Sequence, residues 1–172
     1  KTNNLLSFKP RDHQLRLKNE LLNKIKEKGT FSFNVMQNIC PRGGKTTQNL
    51  DQFKAFKDTY NSQLMIVPMY VLGVMPSLKR DAGKFKQFND ILVLDTNTDN
   101  DIEGRAFEAV KSGKQVVVGV SLHYSETWYE KHEWIHNYKG NVYVVVDEAD
   151  FGAHTDNSMK LYRSLLANKT CC

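Results

Sequence analysis

Val142-Tyr143-Val144-Val145-Val146-Asp147-Glu148-Ala149-Asp150 is the stretch on which the fold turns. Five apolar residues follow one another without the alternation of a half-exposed strand. A strand of that kind is buried on both faces and belongs in the middle of a parallel sheet covered by helices. The run then meets three acids within four positions. Residues 64–68, 91–95 and 115–122 are further short apolar runs, and VVVGV within the last reads as fully buried. Between them lie longer stretches of helical period, predicted over 71–85, 102–112 and 157–166, with an aromatic helix carrying Trp128, Tyr129 and Trp134. Near the start, Leu15, Leu17, Leu21, Leu22 and Ile25 form an apolar stripe among lysines, a helix over 10–28 that stops at Gly29. Residues 31–39 alternate and are β-rich. Strands alternating with helices give an α/β domain with a mostly parallel sheet flanked by helices. In such sheets ligands sit beyond the carboxyl ends of the strands.

The chain has 172 residues, sufficient for one domain, 1–172, with an ordinary core. Its hydrophobic fraction is 40% and its charged fraction 25%, values of a globular protein. No run approaches the ~18 apolar residues of a membrane span, and KTNNLLSFKPRDHQ lacks the apolar core of a signal peptide. There is no initial Met, which reads as a processed piece or a fragment. The net charge of +5 is compatible with nucleic acid and equally with a merely lysine-rich surface. Three cysteines, Cys40, Cys171 and Cys172, cannot form a paired framework, and no His/Cys spacing suits zinc. They read as reduced thiols in a cytoplasmic compartment.

The loop Cys40-Pro41-Arg42-Gly43-Gly44-Lys45-Thr46-Thr47 falls between the 31–39 strand and a helix. A phosphate needs converging N–H donors and a positive charge. A glycine turn before a helix supplies both, because amides can approach without Cβ atoms and the helix start is partially positive. Gly43 and Gly44 make the turn, Lys45 reaches the β- and γ-phosphates of ATP, and the Thr46 hydroxyl binds Mg²⁺. Arg42 and Thr47 flank this nucleotide-binding set. The full pattern GxxxxGK[ST] asks for glycine where this chain has Ile39. The competing reading is a glycine turn that merely precedes Lys-Thr.

Magnesium prefers oxygen ligands and keeps several waters, so a single carboxylate at a strand tip suffices. Asp147 has that position, and Glu148 would orient or activate the attacking water. A solvated acidic turn is the alternative, and the buried run before it favours the ligand cleft.

GGKT followed about a hundred residues later by VVVDEAD resembles the first RecA-like domain of superfamily 2 helicases and translocases, a P-loop NTPase fold. The resemblance covers nearly the whole chain. Phe8-Lys9-Pro10-Arg11-Asp12-His13-Gln14 resembles the family's adenine-reading segment, here within 1–29. It implies that Gln14 contacts the adenine edge, where a glutamine amide offers one donor and one acceptor, and that Arg11 supports the nucleotide pocket. Pro68 and Tyr70 stand where the family touches the nucleic-acid backbone, although the usual threonine-arginine wording is missing. VVVGVSLHY resembles a later strand ending in a hydroxyl near the nucleic acid, Ser121, with His123 beside it. His154, after the acidic box, would couple nucleotide to cleft. The family's second RecA-like domain, with its arginine fingers, is a further implied partner. Without such a finger related sites lose roughly 10³ to 10⁵ in rate, so the isolated chain is expected to bind ATP and hydrolyse it slowly or not at all.

The resemblance therefore implies an ATP-dependent helicase or translocase, DNA being favoured over RNA, of phage or restriction type. The alternatives are a nucleic-acid-binding or assembly module whose nucleotide site does not hydrolyse, and a P-loop ATPase acting on another substrate.

Overall fold

A computed structural model describes residues 5–29, 37, 43–69, 73–121 and 132–146, and all that follows concerns these. Five helices are α1 (Asp12–Lys28), α2 (Lys45–Tyr60), α3 (Val74–Lys84), α4 (Ile102–Lys111) and α5 (Glu133–Asn137). Four strands are β1 (Leu64–Met69), β2 (Leu92–Asp95), β3 (Val116–Ser121) and β4 (Val142–Val144). The expected strand over 31–39, the helix over 157–166 and the Trp128–Tyr129 part of the aromatic helix lie outside the described residues.

The strands form one sheet in the order β2-β3-β1-β4, and every pairing is parallel. The α/β class read from the sequence is therefore the observed one. β1 and β3 are buried at all six positions each, as continuous apolar runs in a covered parallel sheet should be. Successive side chains alternate between faces. Leu64, Ile66, Val116, Val118 and Val142 pack with Ile102, Ala106 and Ala109 of α4 and with Trp134 and Ile135 of α5. Met65, Val67, Val117 and Tyr143 pack on the other face with residues of α1, α2 and α3. The molecule is three-layered, with the sheet in the middle.

Local chemistry sets the helix ends. α1 stops because Gly29 takes φ 63° and closes the last turn with its N–H on the Ile25 carbonyl. α3 begins at Val74 rather than 71, and Pro76 sits in its first turn, where no N–H is required. Pro68 belongs to β1 near its carboxyl end, where β1 outruns its register with β4, which ends at Ile66 opposite Val144. A residue without an N–H is tolerated there.

Helix α2 runs antiparallel to the strands. Its far end meets their starts: Gln115 Nε2 donates to the Phe53 carbonyl (2.5 Å), and Asn141 Nδ2 donates to the Tyr60 carbonyl (2.6 Å). Leu50, Phe53 and Phe56 are wholly buried. Each such side chain contributes about 1.5–3 kcal/mol, so α2 is anchored by its later turns and its first turn is left to polar residues. That first turn consequently lies at the carboxyl edge of the sheet.

Candidate nucleotide site

Gly44 is the N-cap of α2, with φ 83° and ψ 39° in the left-handed region. A Cβ there would stand 2.7 Å from Gln14 Nε2 and 3.2 Å from Thr47 Oγ1, so backbone conformation and neighbours both require glycine. Gly44 supplies no side-chain cap, and the first turn of α2 carries no acid. The amides of that turn and the helix dipole are thus presented to an anion. Lys45 and Thr46 are the first two helical residues.

The loop is held from the α1 side. Gln14 is only 3% exposed. Its Oε1 accepts the Arg11 N–H (2.9 Å), and its Nε2 donates to the Gly44 carbonyl (3.2 Å) and to Thr47 Oγ1 (3.3 Å). Thr47 Oγ1 in turn donates to the Gly44 carbonyl (2.9 Å). The His13 ring sets Nε2 3.1 Å from the Gly43 carbonyl oxygen. Gln48, fully buried on α2, donates from Nε2 to the Gln14 carbonyl (3.1 Å). An ion pair, Lys18 Nζ to Asp51 Oδ2 at 2.8 Å, ties the two helices farther along. The Arg11 side chain, by contrast, is exposed.

Thr46 and Asn49 share a small cavity with Met65 and Val67 of β1, Val74 and Leu78 of α3, and Val145. Val145 continues β4, its N–H bonded to the Ile66 carbonyl (2.9 Å), and stands two residues before Asp147. The structure therefore brings Thr46 close to the end of β4. Arg42, Tyr70, His123, Asp147, Glu148 and His154 lie outside the described residues. No group of metal-ligating side chains occurs among the described residues.

Pro68 and Ser121 meet at the same edge, since Pro68 is opposite Val120 and Met69 opposite Ser121. Ser121 is buried, and its N–H donates to Thr96 Oγ1 (3.4 Å). Beyond it, the carboxyl end of β2 closes on itself. Asp99 Oδ2 accepts the Asp95 N–H and pairs with Lys79, both at 2.8 Å, and Asp99 Oδ1 lies 3.4 Å from Arg105 Nη1. Burial alone would raise the Asp99 carboxyl, but Lys79, the Asp95 N–H and Arg105 together hold it below its ordinary value.

His13 and Gln48 escape a reading of the sequence. Neither has a motif position of its own, and a glutamine one turn into a helix reads as solvated. The one available signal was that Gln48 and Gln52, four residues apart, share a helix face.

Compared with known protein families, the sequence matches none. Nor does it match any curated protein. No helix among the described residues is long and apolar enough to cross a membrane.

Proposed function

We propose that this chain is the ATP-binding domain of a nucleic-acid-dependent ATPase, a RecA-like domain of the helicase or translocase kind, acting on DNA in preference to RNA. The observation that carries the reading is the opening of α2. The Gly-Gly-Lys-Thr segment starts a helix at the carboxyl edge of a parallel sheet, with Gly44 left-handed and the first turn free of acids and side-chain caps. Phosphates of ATP occupy that helix end, Lys45 reaches the β- and γ-phosphates, and Thr46 holds Mg²⁺ jointly with Asp147. Glu148 orients the attacking water. Gln14, with Arg11, meets the adenine; to do so its amide exchanges the bonds it now makes to Gly44 and Thr47. The adjacency of Pro68 and Ser121 at the same edge supports a nucleic-acid track beside the nucleotide.

Calorimetric titration with ATP and Mg²⁺ tests this. Lys45→Ala removes a charge-assisted hydrogen bond, so affinity falls about 10- to 100-fold. An unaltered chain that takes up no ATP, or a Lys45→Ala chain that binds as well as its parent, sinks the proposal. The track has its own test: DNA affinity falls steeply and linearly on a log–log plot against salt when phosphates are contacted.

A further inference from the structure

Gln48 stands out among the buried polar residues. It is fully buried. Its Nε2 donates to the Gln14 carbonyl, yet as part of the first turn of α1 that carbonyl already faces a helical N–H four residues on. Its Oε1 has no hydrogen-bond partner among the described residues. A buried amide with one redundant bond and one orphaned acceptor disfavours folding relative to an apolar side chain of similar size. Gln115 gives the contrast. Its Oε1 is also orphaned, but its Nε2 satisfies the carbonyl of Ser62, which lies outside any helix or strand, so folding itself accounts for it. Gln52, one turn along from Gln48, uses both ends of its amide, accepting from the Tyr143 hydroxyl and donating to Gln37 Oε1.

What Gln48 does touch is the backbone of Gln14, whose side chain holds Gly44 and Thr47. We infer that Gln48 is a positioning residue for the nucleotide site: it sets Gln14, and through Gln14 the phosphate loop, at the expense of fold stability. This rests on the nucleotide-binding reading above. The bond crosses from the first turn of α2 to the first turn of α1, so it fixes the two helix starts relative to each other, which is the relation on which the loop geometry depends.

The test uses the 172-residue chain with Gln48→Leu, and with Gln48→Met as an unbranched second variant. Thermal melting without nucleotide and calorimetry with ATP and Mg²⁺ are measured on each. The expected result is a melting temperature equal to or above that of the parent together with ATP affinity lowered about three- to tenfold, the effect of one lost hydrogen bond. A residue serving packing alone would lose melting temperature and affinity together, and that outcome overturns the inference. Variants that bind ATP as tightly as the parent overturn it too, while leaving the nucleotide reading intact. If the unaltered chain binds no ATP, the nucleotide reading itself fails and this role goes with it.

Discussion

Two of the helices that start at the carboxyl edge of this sheet, α2 and α4, differ in what fills their first turns. Both N-caps are left-handed, Gly44 before α2 at φ 83° and Asp101 before α4 at φ 47°. Asp101 fills its helix end: its carboxylate accepts the Gly104 N–H at 3.2 Å, and Glu103 adds a second negative charge in the first turn. Gly44 leaves its helix end open, with neither cap nor acid. A helix start is an anion site unless the chain brings its own anion. α4 brings one within its own first turn, and the first turn of α2 holds none. The turn before α4 is locked by the Asp99, Lys79 and Arg105 charges, whereas the ties described at Gly43 and Gly44 are the His13 ring, the Gln14 amide and the Thr47 hydroxyl. Among the described residues these ties bring no carboxylate to the start of α2.

The sharpest way to break this contrast is Gly44→Ala. The added Cβ meets Gln14 Nε2 and Thr47 Oγ1 and forces an L-residue to stay at φ 83°. A strain of about 1–3 kcal/mol is expected, read as a lower unfolding midpoint in urea, with ATP affinity reduced at least about tenfold because the loop must shift. Unchanged affinity would mean that the open helix start is not the phosphate site. Next in size is Asp101→Ala. Loss of the cap costs roughly 1 kcal/mol of stability, and ATP affinity stays at the parental value because the α4 start lies outside the proposed site. Asp101→Gly, which suits the left-handed conformation, costs only a few tenths of a kcal/mol by the same measurement. A change in ATP affinity in either variant would show that the two helix starts are coupled.

The smallest effect is one of acid. Asp99 is held below its ordinary value of 3.8. Its depressed carboxyl therefore contributes stability that is present above pH 3.8 and is lost as pH falls through the folded-state value. Asp99→Asn should flatten the acid limb of the unfolding curve below pH 3.8, and solvent screening of the half-exposed Lys79 and Arg105 keeps the difference modest. Identical acid limbs would remove Asp99 as a lock on the turn before α4.

Much of this was legible in advance for identifiable reasons. β1 and β3 announce themselves because a strand covered on both faces has no polar positions to hide, and α1 because Leu21, Ile25 and Gly29 agree; β4, read as a central strand, instead stands at the end of the described order with Val144 only half-buried. Gly44 before Lys45 is legible because only glycine takes the left-handed turn without strain. Less visible was the start of α3, three residues later than its apolar period suggests, since Gly73 and Pro76 reset the first turn. The bonds of Gln14 and Gln48 were not legible at all.

The α/β alternation, the all-apolar runs of β1 and β3 and a glycine turn opening α2 can be read along the chain, because periodicity and backbone chemistry are local. It takes the folded chain to show that β1 lies between β3 and β4, that the starts of α1 and α2 are tied by three glutamine-mediated bonds, and that the start of α4 is filled by its own acid. These are contacts between residues about thirty positions apart, or the direction in which one carboxylate turns. Hydrogen-bond partners across such distances are selected by how helices pack on a sheet, and no spacing along the chain encodes them.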